Sequence, residues 1–369
     1  MQIYCMKNVP LLNTHINLGA KIISFAGFKM PLYYSSIREE HLAVRNKAGV
    51  FDVSHMGEFI IEGKNSEELI QYISSNDISK ISPGMAQYTV LPNENGGVID
   101  DLIIYQLEER KYMMIVNASN IEKDLRWIQS QNLKFGAKIY NASNELSLIA
   151  VQGPDAFKII QNLTETDLYS LKSFDHKTTR FAGYNDVIIA NTGYTGSGGV
   201  EICFDSKNSN DIWNSILSAK GKNAIIPIGL GARDSLRLEM GYCLYGNELD
   251  EKTSPINAGL ERIIKKNMEF VNSNNLLKEI NKGPEEKLIG FELHSRGIPR
   301  PGYSILNPNK KKIGRVTSGI FSPLFEKGIG LGYVISNELN EIQNIIIDIR
   351  GKSEGAKIMG LPFYKKKPT

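Results

Sequence analysis

Apolar residues along the first 270 or so positions alternate between the spacing typical of strands and the spacing typical of helices. Short apolar runs bounded by turn residues predict strands, and longer segments with apolar residues three or four positions apart predict helices. The predicted strands are 58–61, 87–91, 102–107, 112–116, 146–152, 187–190 and 200–204, and the predicted helices are 37–47, 67–73, 121–129, 155–163, 212–219 and 233–240. This mixture predicts an α+β fold.

The pattern changes in the last quarter of the chain. The segment 272–284 is polar and carries both glycine and proline. Short β-type runs then follow at 288–293, 313–317, 330–334 and 345–349, with turn residues between them. That spacing is typical of a small antiparallel barrel or sandwich. We therefore predict a domain boundary within 272–285.

Length and charge narrow the class of protein. The 369 residues are enough for two or three packed domains, and the 41% apolar content supports a sizeable core. Charged residues nearly balance at a formal +3, which argues against a nucleic-acid binder held mainly by phosphates. No apolar run reaches the roughly 18 residues of a membrane helix, and the N-terminus lacks the pattern of a signal peptide. We expect no membrane span.

Cysteine usage indicates the compartment. Cys5, Cys203 and Cys243 are few and far apart, with neither a disulfide framework nor zinc spacing. We therefore expect a reducing, cytoplasmic setting and no metal site. Residues 1–5, ahead of a second methionine, are expected to be poorly ordered, and the basic cluster 365–367 is expected to be a solvated end.

The first candidate for chemistry is the segment 96–105, in which two glycines precede Asp100 and Asp101 at the start of an apolar strand. Neighbouring side chains of a strand face opposite sides, so the two carboxylates should not form an acid–base dyad. One of them is expected to face a site and the other to cap the turn. The alternative is that both are turn residues behind the double glycine.

A second candidate is the glycine-rich segment 191–201. It lacks the Lys-Ser/Thr ending of a phosphate-binding loop, and it runs into a strand rather than opening a helix. One interpretation is a flexible hairpin. The other is that the glycines let a flat ligand lie against the backbone, with Glu201 gripping an amino-substituted ring through two hydrogen bonds.

The segments 229–239 and 51–57 are the third and fourth candidates. In the third, Arg233 lies near a predicted helix N-terminus, where the helix dipole adds to its charge. The alternative for that helix is a surface covered with ion pairs. In the fourth, adjacent Ser54 and His55 suggest a hydrolase, but adjacency makes no triad and no nucleophile elbow occurs, so structural roles are the alternative.

Together these segments resemble the aminomethyltransferases of the glycine cleavage system, the T-proteins. The resemblance runs nearly from end to end, from 19–21 to 362–364. Single glycine loops are weak signals, but the ordered series is specific. The segments that carry the resemblance are 25–27, 30–32, 51–57, 96–102, 116–118, 151–154, 192–196, 229–239, 244–246, 317–319 and 321–323.

The resemblance implies a three-domain cloverleaf arrangement around a central folate cleft. The first two domains are interleaved in sequence, and the third is a C-terminal antiparallel β-barrel. On this chain we expect a discontinuous folate-binding domain at 1–54 and 140–271, a second domain at 55–139 and the barrel at 285–369.

The resemblance also implies a reaction. T-proteins move the aminomethyl carbon from the dihydrolipoyl sulfur of the lipoyl H-protein to tetrahydrofolate, giving 5,10-methylenetetrahydrofolate, ammonia and reduced H-protein. Asp101 falls beside the folate nitrogens and is the implied catalytic residue, Glu201 is the implied pterin-binding carboxylate, and Arg233 is the implied ligand-binding arginine. The other positions that line the folate site fall on Tyr88, Ile103, Tyr105, Asn117, Tyr194 and Tyr242.

The implied chemistry suits these residue types. Loss of ammonia from an S–CH2–NH3+ group leaves a cationic carbon, which N5 of the folate attacks. Asp101 is expected to stabilise that charge and to hold or accept a proton around N5 and N10, and alignment of the two substrates should supply much of the remaining rate. No metal or redox cofactor is needed, and we expect a monomer.

Two alternatives share the fold. One is a folate-dependent demethylase acting on another methyl donor. The other is a non-enzymatic folate-binding factor for iron–sulfur cluster assembly, whose relatives carry a Lys-Gly-Cys-Tyr-x-Gly motif. Here Cys243 stands one place later without the lysine, and the Asp100–Asp101 strand is present, so the sequence favours the enzyme. Some T-proteins carry an arginine near the C-terminus where this chain has only lysines, which leaves contacts from that end open.

Overall fold

The computed structural model describes residues 6–219, 224–339 and 342–365. The N-terminal segment 1–5 and the end of the basic cluster at 366–367 lie outside these ranges, so the expectations for them are not addressed. The described residues fall into two compact units. The first is made of 6–70, 78–88 and 102–234, and the second of 71–77, 89–101 and 235–365.

The helices and strands confirm a mixed α+β fold. The described helices are α1 Leu12–Asn17, α2 Ile37–Asn46, α3 Ser66–Ile73, α4 Ile121–Asn132, α5 Ala156–Ile160, α6 Ser209–Ser218, α7 Leu230–Glu239 and α8 Ser273–Lys282. The first ten described strands are β1 Lys7–Asn8, β2 Lys21–Phe25, β3 Phe28–Tyr33, β4 Gly49–Asp52, β5 Gly57–Glu62, β6 Met85–Pro92, β7 Val98–Glu108, β8 Lys111–Val116, β9 Lys138–Asn141 and β10 Leu146–Gln152. The remaining ones are β11 His176–Phe181, β12 Tyr184–Ala190, β13 Gly199–Asp205, β14 Ile226–Ile228, β15 Glu286–Leu293, β16 Ser304–Leu306, β17 Lys312–Ser322, β18 Lys327–Ile335, β19 Asn344–Ile349 and β20 Lys352–Met359.

Most predicted elements are present. Every predicted strand lies within an observed strand, and the predicted helices agree to within a few residues, except that 155–163 divides into α5 and a 3₁₀ turn at Gln161–Leu163. The polar segment 272–285, where a domain boundary is predicted, contains α8. Within α8, Ser273 and Leu276 are buried.

A six-stranded sheet forms the centre of the first unit, in the order β11-β12-β13-β10-β4-β14. The β13 strand lies between β12 and β10 and pairs antiparallel with both. On one face of β13, alternate residues pack into a core that contains Trp213 of α6 and Phe181 of β11. Both of these side chains are fully buried. A central strand with a packed core on one side is a rigid support for side chains on its other side.

Two smaller sheets accompany it. One has three strands in the order β1-β3-β2, and the other has five in the order β6-β7-β8-β5-β9. In the five-stranded sheet β7 is antiparallel to β8, and β8 to β5. The β7 strand is 11 residues long and begins with the segment that carries Asp100 and Asp101.

The last part of the chain is a closed barrel of six strands in the order β15-β18-β17-β16-β19-β20, paired antiparallel. The buried side chains of Phe291, Ile305 and Ile347 are part of its interior. Gly330 lets the Phe291 ring close against the neighbouring strand, because a Cβ at that position would stand 2.5 Å from the ring. The predicted C-terminal antiparallel barrel is confirmed.

Candidate functional site

Glu201 lies near the middle of β13, in the first unit. Its cross-strand neighbours are Ala150 on β10 and Ala190 on β12, and both alanines are buried. Because the neighbouring side chains on each side are single methyl groups, neither strand covers the carboxylate with a larger side chain. The glutamate itself is 8% exposed, so it is almost withdrawn from solvent.

Two hydroxyl groups stand behind this carboxylate. Thr192 Oγ1 donates to Glu201 Oε2 at 2.5 Å, and the Tyr105 hydroxyl lies 3.2 Å from Thr192 Oγ1. Burial raises the pKa of Glu201, and the Thr192 hydrogen bond and the Arg233 charge oppose that rise. The Tyr105 ring stacks edge-on against His176, whose Nε2 bonds the Gln106 carbonyl oxygen at 3.0 Å.

The glycine-rich loop before β13 joins the antiparallel strands β12 and β13 as a hairpin, and hydrogen bonds anchor it. Gln152 donates to the Thr192 carbonyl and accepts from the Thr195 hydroxyl at 2.8 Å. Arg45 donates to the Thr195 carbonyl and to the Ser197 hydroxyl. Gly193 is needed for this arrangement, because a Cβ there would lie 2.1 Å from Oε1 of Gln152.

Arg233 is part of the same group of side chains. Its guanidinium carbon lies 4.6 Å from the centroid of the Tyr194 ring, which is a cation–π contact. One of its terminal nitrogens is 4.0 Å from Met56 Sδ. Stacking on one face and sulfur contact on the edge fix the plane of the guanidinium, and such a plane is suited to recognising a flat or anionic ligand.

The Ser54–His55 pair is structural. Ser54 donates its hydroxyl proton to the Leu148 carbonyl, and His55 is 3% exposed with its ring edge-on to Phe25. Burial, and after it the positive charge of Arg233, lower the pKa of His55 to about 3. The imidazole is therefore neutral at ordinary pH, and it lies close enough to Arg233 to be affected by its charge.

The structure also shows a buried histidine–aspartate pair, His15 and Asp52, that the sequence did not predict. His15 Nε2 lies 2.8 Å from Asp52 Oδ2, and its Nδ1 lies 2.8 Å from the Tyr34 hydroxyl. Both His15 and Asp52 are withdrawn from solvent. A residue 37 positions earlier in the chain is not recognisable as the partner of Asp52 from spacing alone.

The structure places the remaining predicted residues of the first unit on two strands and a turn. Tyr88 is on β6, Ile103 is on β7, and Asn117 directly follows β8, and all three are half-buried. Of the predicted residues in this unit, the structure thus brings together Glu201, Tyr105, Tyr194 and Arg233. Thr192 and Met56 belong to that group too, although the sequence marked only the motifs that contain them.

Asp100 and Asp101 belong to the second unit and differ as strand alternation predicts. Asp100 is fully buried, whereas Asp101 is partly exposed. The start of β7 is held in place on the same unit, since the Tyr245 hydroxyl donates to the Val98 carbonyl at 3.0 Å and the Val98 amide donates to the Asp250 carbonyl at 2.9 Å. The strand that carries Asp101 is thus fixed at its first residue, Val98, through both the carbonyl and the amide group.

Cys243 lies near Asp101 in the same unit. Burial raises the pKa of the Cys243 thiol, and the charges of Glu248 and Asp101 raise it further, so this thiol is protonated and close enough to Asp101 to sense its charge. Tyr242, the neighbouring residue, is 38% exposed.

No cluster of three or more possible metal ligands occurs in the part of the chain that the structure describes. In the same ranges, no helix is both long and apolar enough to cross a membrane. Cys203 and Cys243 are free thiols.

Comparison with known proteins identifies the family. The GCVT N-terminal domain family matches residues 11–268, and the glycine cleavage T-protein C-terminal barrel domain matches residues 286–365. The chain is 49% identical to an aminomethyltransferase of Flavobacterium psychrophilum over 361 residues, which cover 98% of this chain and all of that protein. It is 48% identical to an aminomethyltransferase of Phocaeicola vulgatus, with the same coverage.

A solved structure agrees. The glycine cleavage system aminomethyltransferase T from Bartonella henselae superimposes with a TM-score of 0.91 at 32% identity, covering 97% of this chain and 98% of that one. The matches thus extend over both the region that carries Glu201 and Arg233 and the C-terminal barrel. This chain belongs to the glycine cleavage T-protein family, the aminomethyltransferases.

Proposed function

We propose that this chain catalyses the aminomethyl transfer of the glycine cleavage system. It takes the aminomethyl carbon from the dihydrolipoyl sulfur of an H-protein and passes it to tetrahydrofolate, the co-substrate. The products are 5,10-methylenetetrahydrofolate, ammonia and the dihydrolipoyl H-protein. The observation that carries this proposal is the identity of 48–49% with two aminomethyltransferases over their full lengths.

The Glu201 cluster fits the pterin end of a folate. A pterin presents neighbouring N–H groups along one edge, and a carboxylate that accepts from them is the usual partner for such an edge. Glu201 has one oxygen engaged by Thr192 and small alanines on either side. We assign Glu201 as the pterin-binding residue and Tyr105, Tyr194 and Arg233 as the residues that surround the ligand.

Asp101 is assigned as the catalytic residue. Its partly exposed carboxylate is held on a strand whose start is fixed through Val98. A carboxylate in that position stabilises positive charge on the reacting carbon and holds a proton near the folate nitrogens. Tyr88, Ile103, Asn117 and Tyr242 complete the assignment as residues that line the folate site.

The partner and the setting are part of the same proposal. The proposed donor is the lipoyl H-protein, and the chain is proposed to act as a monomer in the cytoplasm. Alignment of the lipoyl arm with the folate should supply much of the rate, because both reactants are then held in one geometry.

The direct test is an assay with the purified chain, tetrahydrofolate and aminomethylated H-protein, following 5,10-methylenetetrahydrofolate and ammonia. We expect both products in equal amounts, and none when H-protein without the aminomethyl group is supplied. A parallel reaction with a methylsulfonium compound as the methyl donor tests the demethylase alternative, and it follows 5-methyltetrahydrofolate, because transfer of a methyl group to tetrahydrofolate changes no oxidation state. 5-Methyltetrahydrofolate from that donor without any product from H-protein would make the chain a demethylase, and folate binding without either reaction would favour the non-enzymatic alternative.

A further inference from the structure

The carboxylate of Glu201 is the end point of a short chain of buried hydroxyl groups. Thr192 Oγ1 is 2.5 Å from Glu201 Oε2, and the Tyr105 hydroxyl is 3.2 Å from Thr192 Oγ1. Tyr105 is 1% exposed and Thr192 is 8% exposed. Valine and phenylalanine would fill almost the same space without these hydroxyls, so packing alone does not account for them.

The chain of hydrogen bonds has a single direction. A threonine hydroxyl has one proton, and here that proton goes to Glu201, so Tyr105 is left to donate to Thr192. Burial, and after it the charge of Glu201, raise the pKa of Tyr105 well above its usual value. The phenol therefore keeps its proton throughout the neutral range and remains a donor.

One oxygen of Glu201 is left for a ligand. Among the described residues Oε2 receives the Thr192 proton, whereas Oε1 receives no hydrogen bond, and the residue keeps 8% of its surface exposed. A carboxylate with one oxygen fixed from behind and the other open presents a defined acceptor direction. That arrangement selects a ligand N–H at one position rather than any nearby donor.

The groups around Glu201 make its protonation state depend on the Thr192 hydrogen bond. Arg233 approaches it from α7, Tyr105 from β7, and Cys203 follows two places along β13, while the residues directly opposite it on β10 and β12 are alanines. Burial raises the pKa of Glu201, and the Thr192 hydrogen bond is the largest effect that opposes it, followed by Arg233. Loss of the hydroxyl would therefore favour protonation, and a protonated carboxyl accepts less readily.

We propose that Thr192, supported by Tyr105, is a positioning residue that keeps Glu201 ionised and directs its free oxygen at the amino-pyrimidinone edge of the folate. The inference rests on the proposed function, because it takes Glu201 as the pterin-binding group. It adds a donor that sets both the orientation and the charge of that group.

The test compares Thr192→Val, which keeps the shape and loses the donor, with Thr192→Ser, which keeps the donor. Tyr105→Phe removes the second hydroxyl, and Glu201→Gln removes the carboxylate. Binding of 5-formyltetrahydrofolate to each full-length variant is measured by calorimetry from about pH 5.5 to about pH 8.5. Binding of p-aminobenzoylglutamate, the half of folate without a pterin, serves as the control ligand, and circular dichroism melting establishes that each variant folds.

We expect Thr192→Val to weaken 5-formyltetrahydrofolate binding about tenfold at neutral pH, and its acid loss of affinity to begin at higher pH than in the wild type. Thr192→Ser should bind 5-formyltetrahydrofolate as the wild type does. In Tyr105→Phe the affinity should fall by a smaller factor than in Thr192→Val. p-Aminobenzoylglutamate should bind all variants equally.

Two kinds of result overturn the inference. If folded Thr192→Val binds with wild-type affinity and an unchanged pH midpoint while Glu201→Gln binds poorly, the inference fails and the pterin assignment stands. An equal loss of p-aminobenzoylglutamate binding in Thr192→Val would also overturn it, since the effect would then be structural. If Glu201→Gln binds 5-formyltetrahydrofolate with wild-type affinity, Glu201 is not the pterin-binding residue. The inference about Thr192 then fails as well.

Discussion

Arg237 and Glu248 form an ion pair of 2.9 Å whose side chains are 1% and 0% exposed. Arg237 also donates to the Ser318 hydroxyl on β17, and Glu248 accepts from Thr317 of the same strand. The helix α7 therefore does not carry Arg237 as part of a charged surface, which was one of the two interpretations of that segment. The pair ties the end of α7 and the segment after it to the barrel.

Removing one member of this pair should be costly. Arg237→Met leaves Glu248 charged and buried, so we expect a loss of about 3–5 kcal/mol in the free energy of unfolding. The double variant Arg237→Met, Glu248→Leu should be less destabilised than Arg237→Met alone, because no buried charge is left unpaired. Urea unfolding followed by circular dichroism measures both, and a single variant as stable as the wild type would contradict the buried pair.

His55 should make the chain sensitive to acid. In the unfolded chain a histidine takes up its proton near pH 6.5, whereas in the folded chain burial and Arg233 lower the pKa of His55 to about 3. Between these values the unfolded state binds more protons, so stability is present above about pH 6.5 and falls as the pH drops towards 3. The limiting slope for this one group is about 1.4 kcal/mol per pH unit.

The variant His55→Gln tests this slope rather than the overall stability. Unfolding free energies between about pH 6.5 and about pH 5 should fall less steeply in His55→Gln than in the wild type. Equal slopes in His55→Gln and the wild type would mean that His55 is not held neutral.

Glu58 should act in the opposite direction. It is 1% exposed on β5, and neither of its carboxyl oxygens has a hydrogen-bond partner in the described residues. Burial raises the pKa of Glu58 well above its usual value, so the folded chain keeps a proton that the unfolded chain releases. The stability associated with that proton is complete below about pH 4.3 and is lost as the pH rises towards the folded pKa, by about 1.4 kcal/mol per unit.

Glu58→Gln keeps the shape and cannot titrate. We expect this variant to lose less stability than the wild type between about pH 5 and about pH 8, and therefore to melt at a higher temperature relative to the wild type as the pH increases. Calorimetric melting at several pH values measures the difference. If the difference in melting temperature is the same at every pH, Glu58 is ionised in the folded chain and the prediction is wrong.

Tyr245 should matter for turnover through the strand that carries Asp101. Its hydroxyl donates to the Val98 carbonyl, three residues before Asp101. Tyr245→Phe removes that bond and loosens the start of β7, so we expect kcat to fall by about three- to tenfold while folate affinity stays near the wild-type value. Steady-state kinetics with a folate titration separates the two, and a change in affinity alone would contradict this role.

The sequence predicted those elements whose periodicity is clear, and it missed those that depend on unusual backbone or distant partners. The hairpin of β2 and β3 turns at Ala26 and Gly27, both with positive φ. A glycine in a sequence indicates such a turn. An alanine does not, because alanine rarely adopts the left-handed region. Helix α8 begins after Asn272, also at positive φ, and few of its residues are buried.

The sequence predicted only those parts of the candidate site whose residues lie close together in the chain. Motifs that lie together in the chain, such as the glycine-rich loop with Glu201, were recognisable as candidates from residue type and spacing. The support for Glu201 was not, because Tyr105 and Thr192 are 87 positions apart and only the folded sheets bring their hydroxyls together. His15 and Asp52 were missed for the same reason.

We propose Asp101 as the catalytic residue of a folate-dependent aminomethyl transfer. The most direct measurement is single-turnover formation of 5,10-methylenetetrahydrofolate from aminomethylated H-protein by the wild type and by Asp101→Asn, with folate affinity measured on the same preparations. The asparagine keeps the size of the side chain and removes its charge, so we predict a folded variant with most of its folate binding and a rate lower by about 10²-fold or more. A wild-type rate in Asp101→Asn would contradict the account.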